Sequence, residues 1–218
     1  MLYIQRTLML FAIVFTTYAG NAQAKEAYKI LMFGDSITAG YGLEAKEAPP
    51  AQLEALLQQE GYDVVVINAG VSGDTTSAGR SRLKWTLDKY NPDAVILALG
   101  GNDMLRGINP SITRENINAM LTLITSTKRS VILSSVQAPS NLGVAYKGQL
   151  EKTYTDLATE YDVTLYPFLI QNTFGKTELM QRDGIHPNAK GAAQIANELA
   201  EFLSDELEMG SKSLKGAS

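Results

Sequence analysis

Five short apolar runs punctuate the chain, most of them closing on glycine or small polar residues. Residues 28–33 end at Gly34, 64–67 at Asn68-Ala69-Gly70, and 94–99 at Gly100-Gly101. Residues 130–134 run into a loop with Pro139 and Gly143, and 163–166 form the shortest run. Such runs, rich in β-branched residues and without polar alternation, predict strands covered on both faces. Between them apolar residues recur at helical spacing. Leu53, Leu56 and Leu57 predict a helix stopped near Gly61, and a second is expected over about 77–90. Thr113 is the expected N-cap of a third, carrying Ile117, Met120, Leu121 and Ile124. A fourth falls near 146–161, and Asn188 caps a last one with Ile195, Leu199, Phe202 and Leu203 on one face. Strands alternating with helices predict a parallel α/β sheet in a single domain over residues 25–208. Residues 209–218 are small and polar and predict a loose tail.

Residues 1–24 read differently. Arg6 is the one charge among them, an apolar run follows over 8–15, and Ala22-Gln23-Ala24 makes an A-x-A pattern. These are the three regions of a secretory signal peptide, with cleavage expected near Ala24. The run is too short for a membrane span, so no stable span is expected after cleavage, and the protein should be periplasmic or secreted.

Composition narrows the chemistry. A chain of 218 residues can bury about 70% of its extended surface. With 45% hydrophobic and 19% charged residues, disorder, collagen and a polytopic membrane protein are excluded. The net charge of −4 argues against a nucleic-acid partner. Cysteine is absent and His186 is the one histidine. Disulfides, thiol nucleophiles and Cys- or His-rich metal sites are therefore excluded, and no metal or cofactor is expected. A monomer is the default expectation.

In a parallel α/β sheet, ligands sit beyond the carboxyl ends of the strands. That rule selects Gly34-Asp35-Ser36-Ile37, the stretch from Asn68 to Thr75, Gly100-Gly101-Asn102-Asp103, and the loop after Ser134. Near the C-terminus lies Asp183-Gly184-Ile185-His186-Pro187-Asn188. Attack on an ester needs a hydroxyl, a base, a group to orient the base, and donors for the oxyanion. Ser36 supplies the hydroxyl at a helix start, where the dipole favours negative charge. His186 is the available base, with Asp183 three residues earlier to hold its Nδ1–H. The Ser36 N–H, the Gly73 N–H and the Asn102 amide could surround one oxyanion. Taken alone, each signal has a plainer reading: Ser36 as an N-cap, Asn102 and Asp103 as turn residues, Gly73 as a tight loop, His186 as a structural histidine. Their joint occurrence at successive strand ends favours the catalytic reading.

Four of these segments, Gly34–Ile37, Gly70–Thr75, Gly100–Asp103 and Asp183-x-x-His186-Pro187, resemble the blocks of the SGNH, or GDSL-type, hydrolases. The similarity runs from about Lys29 to Leu203 and is closest to the bacterial periplasmic branch of acyl-CoA thioesterases, lysophospholipases and arylesterases. Further matches are Ser72-Gly73-Asp74-Thr75, Gly101-Asn102-Asp103-x-Leu105-Arg106-Gly107 and Pro139-x-Asn141-x-Gly143. The resemblance implies a flavodoxin-like three-layer α/β/α fold with a five-stranded parallel sheet. It also implies Ser36 as nucleophile, Gly73 and Asn102 with Ser36 as oxyanion donors, and Asp183 and His186 as orienting acid and base. The region 104–109, with Leu105 and Ile108, would border the acyl pocket, and Asn141 and Leu142 of the Pro139–Gly143 stretch are the other expected substrate contacts. The partner implied is a small acyl ester or thioester. Two features depart from the branch: Pro49-Pro50 where Trp-Pro is usual, and Ile37 where Leu is usual.

Two other readings stay open at this level. One is a carbohydrate O-acetylesterase with the same chemistry on a small acyl group. The other is a binding module that kept the fold, against which the intact Ser36, Gly73, Asn102, Asp183 and His186 argue. The G-x-S-x-G elbow, a Walker loop and an HExxH helix are all absent.

Overall fold

A computed structural model describes residues 26–127 and 129–214, with 205–214 described by their backbone alone. The expected signal peptide lies outside the described residues. Strands β1 (Tyr28–Gly34), β2 (Val64–Gly70), β3 (Ala94–Ala98), β4 (Ser130–Ser134) and β5 (Thr164–Tyr166) form one sheet. Its order is β2-β1-β3-β4-β5, and every pairing is parallel. The chain therefore starts at β1, steps out to β2, then crosses back over β1 to build the other half. That reversal leaves a crevice between the carboxyl ends of β1 and β3.

The helices are α1 (Ser36–Ala39), α2 (Pro49–Gln59), α3 (Thr76–Tyr90), α4 (Gly101–Leu105), α5 (Pro110–Thr125), α6 (Val144–Tyr161) and α7 (Ala189–Leu214). Side chains alternate faces along a strand, so each strand feeds two cores. Leu31 and Phe33 of β1 join Val95, Leu97 and Leu133 against α3, α5 and α6. Ile30 and Met32 join Val66, Ile96 and Ile132 against Leu53 and Leu57 of α2 and Ile195, Leu199 and Leu203 of α7. The result is the three-layer α/β/α sandwich.

Three details differ from the sequence reading. β2 is an edge strand, and its Val65 is exposed, so that apolar run is not covered on both faces. Helix α5 begins at Pro110 rather than after Thr113. Asn109 caps it by accepting from Ser111 N, and proline fits the first helical position because its missing N–H would be unpaired there. Thr113 is instead fully buried and turned toward Asp103. The last helix continues to Leu214, past the expected start of the tail. At its other end Asn188 does cap it, accepting from Lys190 N and Gly191 N.

Glycine is sterically required at two strand ends. A Cβ on Gly34 would meet the Thr38 hydroxyl and the Ala98 carbonyl, and one on Gly70 would meet the Ala39 backbone. The turn after β1 thus packs directly against the ends of its two neighbours. Among the described residues no helix is long and apolar enough to cross a membrane.

Candidate active site

Ser36 is the first residue of α1, immediately beyond β1, and is largely buried. Asp35 caps that helix through Oδ1, which accepts from Ile37 N at 3.0 Å. α1 is a single turn closed by Gly40 in the left-handed conformation, so its dipole is small and its contribution to charge stabilisation is correspondingly limited. What this turn supplies is position: the Ser36 side chain points into the crevice.

His186 arrives from a loop braced by the Met180–Pro187 bridge and by Asn188, whose amide donates to the Glu178 and Met180 carbonyls. Its Nε2 lies 2.9 Å from Ser36 Oγ, across 150 residues of sequence. Its Nδ1 lies 2.7 Å from Asp183 Oδ2. Asp183 Oδ1 accepts from the backbone N–H groups of Ile185 and His186 at 2.9 and 3.0 Å. The side-chain bond to His186, then these two N–H groups, hold the Asp183 carboxyl down to about 2. It stays ionised and can orient the imidazole with Nδ1 protonated and Nε2 facing the hydroxyl.

Asn102 lies in the first turn of α4, beyond β3, and its Nδ2 is 3.4 Å from Asp35 Oδ2. It is thus beside the start of α1. Gly73 sits in the loop after β2 with a φ of 86°, a conformation that favours glycine. Three contacts fix that loop. Arg106 Nη2 donates to the Gly73 carbonyl at 2.9 Å. Asp74 pairs with Arg82 at 2.6 Å, and Arg82 also donates to the Gly34 carbonyl and stacks on Phe33. Asp103, fully buried, accepts from the backbone N–H of Thr76 at 2.8 Å and from the Thr76 and Thr113 hydroxyls. Asp103 therefore joins the segment after Gly73 to the segment carrying Asn102.

Ser36, Asn102 and His186 open onto a cleft of about 400 Å³. Its wall is mainly apolar and includes Leu105, Val136, Leu169, Ile170, Phe174 and Ile185. Of the expected substrate contacts, Leu105 lines this cleft. Ile108, Asn141 and Leu142 do not; Ile108 offers its carbonyl to Tyr146, and Asn141 and Leu142 lie in an exposed turn beyond Pro139. Phe168, Leu169, Ile170, Gln171 and Phe174 line the cleft instead. They follow β5, so the strand-end rule points to them too, but the segment has no period to mark it.

Asp35, which the sequence marks only as part of the Gly34–Ile37 segment, adds a carboxyl next to Ser36. It is 7% exposed, and burial pushes its carboxyl up to about 6, against the pull of Ile37 N–H and of His186 and helped by Asp74.

Residues 32–194 match the model of the GDSL-like lipase/acylhydrolase family. The chain belongs to that family. As a GDSL-like acylhydrolase it acts on ester bonds. An arylesterase of Vibrio mimicus is 36% identical over 91% of this chain and 96% of its own. Thioesterase 1/protease 1/lysophospholipase L1 of Escherichia coli K12 is 36% identical over 83% of this chain and 86% of its own. The crystal structure of the psychrotrophic esterase EstA from Pseudoalteromonas superposes with a TM-score of 0.79 at 30% identity, covering 83% of this chain and 98% of that one. The GDSL-like fold thus coincides with the parallel sheet expected from the apolar runs.

Proposed function

We propose that this GDSL-like hydrolase cleaves carboxylic esters and thioesters through an acyl-enzyme on Ser36. The observation that carries the reading is the contact chain from Asp183 to His186 to Ser36, at 2.7 and 2.9 Å, opening on an apolar cleft. His186 Nε2 takes the Ser36 proton as Oγ bonds to the acyl carbon. The carbonyl π electrons move to oxygen, which is held by the Ser36 and Gly73 N–H groups and the Asn102 amide. The carbonyl re-forms, the bond to the leaving oxygen or sulfur breaks, and His186 returns the proton to it. Water then attacks the acyl-enzyme by the same route, with His186 as base and Ser36 as leaving group.

The apolar wall favours acyl chains longer than acetyl, because burying each methylene contributes about 0.8 kcal/mol. Relatives named arylesterase and thioesterase/lysophospholipase support both oxygen and sulfur leaving groups. Export follows from the pattern of Arg6, the apolar run and Ala22-Gln23-Ala24.

The test is hydrolysis of p-nitrophenyl esters from acetate to palmitate, with Ser36→Ala alongside. The reading predicts a maximum at medium or long chains and loss of turnover in the variant. A maximum at acetate would move the substrate class to small O-acyl groups, and turnover that survives Ser36→Ala would remove the acyl-enzyme.

A further inference from the structure

The turn after the nucleophile is tied to the acid/base loop by a contact that the triad itself does not use. Tyr41 stands between Gly40 and Gly42, both left-handed with φ of 75°. Its backbone N–H donates to the carbonyl of Ser36 at 3.0 Å. Its ring lies against the imidazole of His186, with centroids 4.5 Å apart and planes tilted by 38°. Its carbonyl accepts from Gln181 Nε2 at 2.6 Å. The same Nε2 donates to the Pro187 carbonyl at 2.9 Å, and Gln181 N donates to the His186 carbonyl at 2.7 Å.

We propose that Tyr41 and Gln181 form a strap that sets the Ser36–His186 geometry, with both acting as positioning residues. The bonds form a closed circuit. It runs from the Ser36 carbonyl to Tyr41 N, from the Tyr41 carbonyl to the Gln181 amide, from Gln181 to the successive carbonyls of His186 and Pro187, and from His186 Nε2 back to Ser36 Oγ. Asp183 orients the ring from within its own loop. It has no bond to the nucleophile's turn among the described contacts, so it cannot by itself fix how far His186 stands from Ser36. Gln181 can, because it bridges the two segments directly. Gly42 keeps the bridge open: a Cβ there would stand 2.6 Å from Gln181 Oε1. The Tyr41 ring adds a second constraint. It covers one face of the imidazole, and an aromatic face favours the imidazolium formed when Ser36 gives up its proton.

Tyr41 is about half exposed, so its replacement should leave the core intact. The proposal rests on Ser36 and His186 as nucleophile and base, and Ser36→Ala run in parallel separates the two claims. Steady-state kinetics on one p-nitrophenyl ester are measured for Gln181→Met, Gln181→Glu, Tyr41→Ala and Tyr41→Phe, with thermal melts for each. Met keeps the length of Gln181 without its donor, and Glu keeps the shape while replacing the donor with an acceptor. The expected result for both is a kcat lower by about tenfold to a hundredfold with KM within twofold, the signature of misplaced catalytic groups. Tyr41→Ala should lower kcat by about three- to tenfold, and Tyr41→Phe should restore it, because the ring face is what the imidazole meets. Wild-type kcat in a folded Gln181→Met or Gln181→Glu protein would overturn the strap. So would a rise in KM at unchanged kcat, or equal loss in Tyr41→Phe and Tyr41→Ala. Activity retained by Ser36→Ala would instead overturn the nucleophile on which the strap depends.

Discussion

Asp35 offers a test in which stability and chemistry pull apart. Its carboxyl is buried beside Ser36, with one short bond, from Ile37 N, and a longer contact from the Asn102 amide. Burial raises it from 3.8 to about 6. For an acid whose folded value lies above its unfolded one, both states are neutral below about pH 4 and nothing is lost. Above about pH 6 both are ionised, and the folded state carries the full cost of a poorly solvated charge. A rise from 3.8 to about 6 corresponds to a cost of about 3 kcal/mol at pH 8, and about 1 kcal/mol at pH 4.5. Asp35→Asn removes that charge and keeps a capping oxygen, since Asn and Asp are about equal as N-caps. The variant should therefore be more stable than wild type at pH 8 by up to about 3 kcal/mol, with the advantage shrinking to about 1 kcal/mol at pH 4.5. Asp183 changes stability in the opposite sense. Its lowered value contributes stability above about pH 4 that is lost as pH falls toward 2, and it is common to both proteins, so it cancels in the comparison. The assay is urea unfolding followed by circular dichroism at the two pH values. A difference between the proteins that does not grow with pH would refute the assignment of a strained carboxylate, as would a variant less stable than wild type at pH 8. Activity should fall in the same variant, because the carboxylate charge acts on His186 and its Oδ2 meets Asn102. Stabilisation with loss of activity is the pattern expected where an active site holds a group against its preference.

Asn102→Ala should lower kcat by roughly 10²–10³, the worth of one oxyanion donor, and ester hydrolysis at the wild-type rate would remove it from that role. Asp103→Ala leaves the Thr76 N–H and two buried hydroxyls without their acceptor. At about 1–3 kcal/mol for each stranded group, it should cost at least about 3 kcal/mol and lower Tm by roughly 10 °C, read by a thermal melt. Gly70→Ala places a methyl against the Ala39 backbone and should destabilise by about 1–3 kcal/mol in urea unfolding. Gly148→Ala, in α6 with open space around it, should instead stabilise by roughly 0.5–1 kcal/mol in the same assay.

The sheet was legible because parallel strands buried on both faces must be apolar throughout. β2 departs from that rule because edge position is set by strand order, and strand order is a long-range property. The N-terminus of α5 differs from the expected cap because Asn109-Pro110 and Thr113 both carry start signals. The buried Asp103 captures Thr113, which leaves the proline to open the helix. Ser36, Asp183 and His186 stood out because a single histidine leaves little choice of base and strand ends limit the choice of hydroxyl. Their convergence needed the structure, since Ser36 and His186 are 150 residues apart. Gln181 and Tyr41 could not be read at all. An amide meeting a carbonyl 140 residues away has no local pattern. The cleft wall formed by Phe168–Gln171 and Phe174 has no legible pattern for a related reason, because it packs as an irregular segment whose apolar residues follow no repeat.

A covalent acyl group on Ser36 separates this mechanism from direct attack by water, and it can be trapped. The protein is mixed with a medium-chain p-nitrophenyl ester, quenched in acid within the first turnover, digested and weighed by mass spectrometry. The peptide carrying Ser36 should gain the mass of one acyl group, and the same peptide of Ser36→Ala should gain none. An acyl group on another residue, or turnover by a Ser36→Ala protein that carries none, would contradict this mechanism.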